Sequence, residues 1–381
     1  MTSPPNPPRR RRLQFALLSV IGALAFAELG AALVYYMKLD QPLRETVNLA
    51  IGSGSTWAPG STARYQRHPY LNYVGNPAFR FPDGSTVFNQ QGFRDTGVDW
   101  GHKPEGALRL VVIGGSTTFG WLFEDPAATW PSLLAERLTV ETGQPVEILN
   151  AGLPAYATHN LIGFCAFWLP ELDADVVVVH AGFNDAFAAA YPDEGGPAGE
   201  SFHRAFAHRP IPQPARAVMR ASHLARMLSL GWLRRHGFLA GVLAHATMQP
   251  RPAEAHVAEA ARAATGRLFQ RNLSTIVRLI RSAGAVPVVS NIPMKPEGEK
   301  NRGTYYGAAF EAARRNNTIA GAVAEAEDAA FVDLYRMMRE PAGFVDSVHL
   351  NEVGMRAKAD ALFPVVFEVL VHRTASDTRS P

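Results

Sequence analysis

Leu110-Val-Val-Ile-Gly-Gly-Ser-Thr-Thr-Phe-Gly120 is an apolar run of strand length that ends in two glycines and a cluster of hydroxyl side chains. Val111, Val112 and Ile113 are β-branched and uninterrupted, as expected of a strand covered on both faces by helices. Gly114 and Gly115 permit a sharp turn without a Cβ clash, and a helix-like segment follows. Ser116 is thereby predicted at a helix start, where unpaired amides and the dipole favour a developing negative charge. Such a turn suits a nucleophile or the phosphate of a flavin or nucleotide equally, and this segment alone leaves both open.

From Arg109 onward, strand-like and helix-like stretches alternate. Strands are predicted at Arg109 to Ile113, Val146 to Leu149, Asp175 to His180, Val286 to Ser290 and Phe331 to Leu334. Helices are predicted at Ala127 to Val140, Thr158 to Leu169, Ala255 to Ser282, Tyr305 to Glu327 and Asn351 to Val371. This alternation argues for a parallel sheet with helices on both faces. Ligands of such sheets bind outside the carboxyl ends of the strands, near the point where strand order reverses. The turns that follow the strands should therefore share one edge: Gly114 to Ser116, Asn150 to Gly152, Ala181-Gly-Phe-Asn-Asp185, and Asn291. Asp346-Ser-Val-His349 lies between the fifth strand and the last helix and reaches the same edge. His349 can serve Ser116 as a base, with Asp346 holding the imidazole tautomer.

Taken together, these blocks resemble those of the SGNH hydrolases, also called GDSL-type esterases. The resemblance runs over residues 108 to 372 and rests on Gly114-Gly-Ser-Thr117, Asn150-Ala-Gly152, Gly182-Phe-Asn-Asp185 and Asp346-Ser-Val-His349, in that order. It implies Ser116 as nucleophile, His349 as base and Asp346 as the residue orienting the ring. It also implies an oxyanion hole built from the Ser116 and Gly152 amides and the Asn184 side chain. The implied fold is a three-layer α/β/α sandwich around a five-stranded parallel, flavodoxin-like sheet. One position departs from the family pattern: the acid that usually precedes the serine is Gly115 here, which bears on the geometry of the loop.

Size and composition agree with one catalytic domain carrying attachments. The chain has 381 residues and 47% hydrophobic content, enough for one sizeable core. With 37 basic and 34 acidic side chains, the balance gives no argument for nucleic acid. The lone Cys165 cannot form an internal disulfide and reads as a buried hydrophobe. No Cys/His spacing resembles a structural zinc site, and the reading requires neither metal nor organic cofactor.

Residues 1–12 are Pro-rich and end in four arginines, the composition of a tail. Leu13 to Met37 carries one formal charge, Glu28, and as a helix would extend about 38 Å, enough to span a hydrocarbon core of about 30 Å. The arginine block should stay cytoplasmic, sending the rest across the inner membrane to the periplasmic side. Ala25-Phe-Ala27 fits a signal-peptidase site as well; the apolar run beyond it favours an uncleaved anchor. Glu28 is costly in lipid and calls for a partner helix or a place near the outer interface.

Residues 38–104 read as an irregular segment with short strands that packs on the main domain. His68-Pro-Tyr and Gly92-Phe-Arg resemble elements ahead of the catalytic domain in membrane-anchored bacterial relatives. Asn89 and Arg94 are candidates to line a cleft, and a surface structural role is the simpler reading. The catalytic domain is expected at 105–372, with a tail at 373–381 and a helical insertion at about 186–254, too long for an ordinary loop. Aromatics such as Phe187, Tyr191 and Trp232 and arginines such as Arg204, Arg209 and Arg216 populate the insertion. A solvated helical cap is the simpler reading there than a lid for anionic substrates or a membrane surface. The expectation is an extracytoplasmic serine esterase acting on small-molecule or glycan acyl esters. An acyltransferase and a non-catalytic envelope protein remain the alternatives.

Overall fold

The computed structural model describes residues 9–38, 65–81, 83–186, 213–235, 264–295 and 305–377. The expected tail at 1–8 and most of the aromatic and basic residues of the insertion, among them Phe187, Tyr191, Arg204 and Arg209, lie outside the described residues.

The first helix, α1 (Arg9–Lys38), takes in the arginine block and starts before the predicted Leu13. Its stretch Leu13–Lys38 has a mean hydropathy of 2.1 and the length and composition shared by membrane anchors and export signals. A short antiparallel hairpin follows, β1 (Tyr65–His68) and β2 (Asn72–Gly75). The main sheet comprises β3 (Leu108–Gly114), β4 (Val146–Asn150), β5 (Val176–His180), β6 (Val286–Ser290) and β7 (Ala330–Val332). Its order is β4-β3-β5-β6-β7 with every pair parallel. Strand order therefore reverses at β3, and the switch point lies between the carboxyl ends of β3 and its neighbours.

The other helices are α2 (Ser116–Phe119), α3 (Trp130–Thr142), α4 (Thr158–Phe167), α5 (Gln213–Ala221) and α6 (His223–Arg235). They are followed by α7 (Arg267–Ser282), α8 (Tyr305–Ala326), α9 (Leu334–Met337) and α10 (Glu352–Asp377). Three boundaries differ from expectation for local reasons. Gly266, at φ +74, sets the start of α7, so the helical reading from Ala255 fails over 264–266. Asp333 caps α9 and ends β7 early, accepting a bond from the Arg336 amide. The last helix continues to Asp377 through Pro364, so the predicted tail at 373 begins inside it.

Every residue of β3 is buried, and its two faces enter different cores. Leu110 and Val112 pack with Trp130, Leu134, Leu362 and Val366 of α3 and α10. Val111 and Ile113 pack with Leu161, Phe164, Ile276 and Val323 of α4, α7 and α8. This two-sided burial is what the unbroken β-branched run demands, and it makes the three-layer α/β/α sandwich. The segment before β3 joins the second core through Tyr73, Phe88, Phe93 and Trp100, with Phe93 stacked on Trp100 at 5.0 Å. Arg109 is also buried, its charge met by Glu147 at 2.7 Å and by the Leu172 and His102 carbonyls.

Candidate active site

β3 carries Ser116 to the sheet's carboxyl edge. The helix that begins there is one turn long and closes at Gly120 in the left-handed region, so Ser116 stands on a tight turn rather than on a long helical dipole. The Thr118 and Phe119 amides both donate back to the Gly115 carbonyl, at 3.0 Å each. Those amides are thus spent inside the turn, which removes most of the cradle a flavin or nucleotide phosphate needs.

The last loop brings His349 to the same place from 233 positions away: its Nε2 lies 2.8 Å from Ser116 Oγ. Its Nδ1 lies 2.7 Å from Asp346 Oδ2, while Asp346 Oδ1 accepts the amides of Val348 and His349 at 2.9 and 2.8 Å. Partial burial pushes the Asp346 carboxyl up, but the His349 side chain and these two amides outweigh it and hold the group at about 2. The pair is open to solvent, with the Asp346 side chain 53% and the His349 side chain 22% exposed.

Asn184 follows β5 and donates one Nδ2 hydrogen to the Tyr156 carbonyl at 2.8 Å; its second remains for a ligand. A Cβ on Gly115 would fall 2.7 Å from the same nitrogen. Asn184 therefore lies directly over the serine's turn, in the space that any side chain at 115 would enter.

Gly152 is the one expected oxyanion donor whose position disagrees with that role. Its amide already donates to Asn150 Oδ1 at 3.0 Å, and Asn150 Nδ2 donates to the Thr118 carbonyl at 2.9 Å. Glycine is required there by packing, since a Cβ would sit 2.7 Å from both the Phe119 nitrogen and Thr118 Cβ. The residue missed in the sequence is Ala155. It adopts φ 62, an unusual conformation for a side-chain-bearing residue, and immediately precedes the Tyr156 carbonyl that Asn184 grips. Among the described residues its amide has no hydrogen-bond partner. Alanine after proline gives no sequence signal for this; only the backbone angle does.

Arg94 is a buried brace rather than a surface residue, and Asn89 is half-buried in a turn. Arg94 is 1% exposed, and its guanidinium donates to the Phe123 and Glu124 carbonyls at 2.9 Å each and lies over the Phe119 ring. It braces the loop leaving the nucleophile turn. Asn89 Oδ1 closes its own turn by accepting the Gln91 and Phe93 amides. Asn291, after β6, instead ties the end of that strand to the start of α9, donating to Asp333 and accepting the Tyr335 amide.

Two further buried groups support the edge. Asp185 accepts the Thr158 amide at 3.0 Å and its hydroxyl at closer range, and Asn272 donates to that hydroxyl at 3.0 Å. Loss of solvent raises the Asp185 carboxyl to about 6 despite these bonds. Lys358, on the apolar face of α10, is fully buried. Its Nζ lies 2.8 Å from His180 Nε2 and 4.4 Å from the Trp130 ring centre, and burial pushes it well below the usual lysine range. Trp130 Nε1 supports the same turn from beneath, donating to the Thr117 carbonyl at 2.9 Å.

The profile of the GDSL-like lipase/acylhydrolase family matches residues 112–357. This is more than half of the chain and includes every site block, so the chain belongs to that family and is an ester-hydrolysing serine hydrolase. Among curated proteins none matches by sequence. Similar solved structures include the lipase/acylhydrolase from Enterococcus faecalis, at 18% identity and a TM-score of 0.40, covering 68% of this chain and 96% of that one. Est24, a carbohydrate acetylesterase from Sinorhizobium meliloti, is similar at 13% identity and a TM-score of 0.41, covering 69% and 99%. The acetyl xylan esterase AlAXEase is similar at 14% identity and a TM-score of 0.39, covering 68% and 100%.

Proposed function

We propose that this protein is a membrane-anchored, extracytoplasmic esterase in which Ser116, His349 and Asp346 form the catalytic triad. The observation that carries the reading is the chain of contacts from Ser116 Oγ to His349 Nε2 at 2.8 Å and from His349 Nδ1 to Asp346 Oδ2 at 2.7 Å. Ser116 Oγ attacks the ester carbonyl as its proton passes to His349 Nε2, and the carbonyl oxygen takes up the negative charge. The imidazolium then protonates the departing alkoxide, leaving an acyl-enzyme. Water attacks that acyl carbon while His349 accepts its proton, and the acyl–Oγ bond breaks as His349 returns that proton to Oγ, which restores the serine. Asp346, ionised throughout, holds Nδ1 protonated and stabilises the imidazolium.

The oxyanion donors in this scheme are the Ser116 amide, the remaining Asn184 Nδ2 hydrogen and, in place of Gly152, the Ala155 amide. Donors aimed at the charged form of the oxygen act chiefly in the transition state, and losing one costs about 100- to 1000-fold. The match to the lipase/acylhydrolase family favours hydrolysis over transfer to a sugar hydroxyl. With α1 as the anchor and its arginines cytoplasmic, the site meets envelope material, and O-acyl groups on carbohydrate are the substrate class that position favours.

The full-length protein in detergent should hydrolyse p-nitrophenyl acetate, and Ser116→Ala and His349→Ala should each lose nearly all of that activity. A fluorophosphonate should label the wild type at Ser116 and leave Ser116→Ala unlabelled. Wild-type turnover by Ser116→Ala would sink the assignment.

A further inference from the structure

An acidic residue within an apolar anchor needs an explanation, and Glu28 has one in the insertion. Its carboxylate accepts Ser222 Oγ at 2.7 Å, the Leu224 amide at 3.1 Å and the His223 amide, and His223 Nδ1 lies 3.2 Å away. Glu28 is therefore the N-cap of α6, supplied from another helix: it satisfies amides that α6 cannot bond internally. The face of α1 that continues from Glu28 is closed by the same hairpin. Ala31 is 8% exposed and Tyr35 fully buried, with the His223 ring 5.6 Å from Tyr35 and Arg226 over it at 5.6 Å. Positions 28, 31 and 35 form one helical stripe.

Depth follows from helix geometry. Glu28 lies 15 residues beyond Leu13, about 22 Å along a helix, within a hydrocarbon layer of about 30 Å. The opposite faces of α1 are bare and apolar through Phe26, Leu29 and Leu33, so at that depth they meet lipid, and whatever packs beside them shares the depth. The hairpin is built for it. Arg226 spends its guanidinium on the Met219 and Arg220 carbonyls at 2.6 and 2.9 Å, closing the end of α5. In lipid every backbone polar group needs an internal partner; here the Met219 and Arg220 carbonyls at the end of α5 and the His223, Leu224 and Ala225 amides at the start of α6 have theirs. Val218 and Leu228, by contrast, present apolar side chains outward, at 58% and 76% exposure.

We propose that the α5–α6 hairpin is seated in the outer leaflet against α1, pinned by Glu28, with lipid as the partner of Val218 and Leu228. The proposal rests on the reading of α1 as a membrane anchor. Its consequence is that the insertion beginning just after Asn184 is held to the bilayer, which keeps the esterase at the membrane surface independently of the segment joining α1 to β1.

The test uses the full-length chain in phosphatidylcholine and phosphatidylglycerol vesicles. Native Cys165 is buried, so a thiol-reactive environment-sensitive fluorophore reports on an introduced cysteine. Leu24→Cys on α1, Leu228→Cys on α6 and Val140→Cys on α3 are each labelled, then quenched by spin-labelled lipid or by aqueous iodide. The labels at 24 and 228 should be quenched by lipid and spared by iodide, with the reverse at 140. Adding Glu28→Ala should cost the 228 label its lipid quenching and leave the 24 label unchanged; Glu28→Gln, which keeps one acceptor oxygen, should shift it less. Iodide quenching at 228 with lipid quenching at 24 overturns the hairpin proposal and leaves the anchor standing. Iodide quenching at both positions overturns the anchor itself. An unmoved 228 label in Glu28→Ala overturns the pinning role.

Discussion

A Cβ built on Gly115 lies 2.7 Å from Asn184 Nδ2 and 3.4 Å from the Tyr156 carbonyl, so the glycine and the asparagine form a pair. A side chain at 115 is accommodated only by moving the Asn184 amide, which the proposed mechanism aims at the oxyanion. Gly115→Asp, which restores the acid usual in the family, should therefore lower kcat by about 100-fold while leaving KM and the circular dichroism spectrum near wild type. Full activity in that variant would remove Asn184 from the oxyanion hole. Asp346 makes a different prediction. Its folded value is depressed to about 2, so the stability its ionised form adds is complete above about pH 4 and is lost only as pH falls towards 2. Asp346→Asn should reduce kcat by up to about 10,000-fold.

At the scale of elements, Asp185 joins the end of β5 to α4 and α7 through Thr158 and Asn272. Its folded value, about 6, lies above the ordinary 3.8. Between those two values the folded chain holds a proton that the unfolded chain has released, so stability falls as pH rises across that window. Asp185→Asn keeps an oxygen for Thr158 and has no proton to lose; its urea midpoint should not decline from pH 4 to 6 as the wild type's does. Parallel slopes would show that Asp185 does not titrate there. The elements themselves were largely readable. An unbroken β-branched run such as Val176 to Val179 has few alternatives to a buried strand, and the helix expected up to Glu327 runs to Ala326. The start of α7 was not readable, because it is set where Gly266 turns left-handed and where a Cβ would meet Ile319 and Asn316, neighbours that the linear order does not show.

For the whole molecule, the division of labour between α1 and the catalytic body is the question. α1 packs on α6, while Ser116, Asn184 and His349 stand on loops of the β3–β7 sheet. A chain lacking residues 1–38 should hydrolyse p-nitrophenyl acetate at close to the full-length rate yet show faster tryptic cleavage at Arg220 and Arg226, since α6 loses its cap. Loss of turnover on truncation would mean that the anchor supports the site directly. Short blocks following strands determined the family and which side chains are candidates for the chemistry, because strand-end position and residue chemistry are both local properties of sequence. Tertiary structure decided the rest. Whether the Gly152 amide was free, that Ala155 turns left-handed, and that Glu28 caps a helix from the insertion all depend on which distant atom occupies a donor or a space, and the linear order of residues carries no such distances.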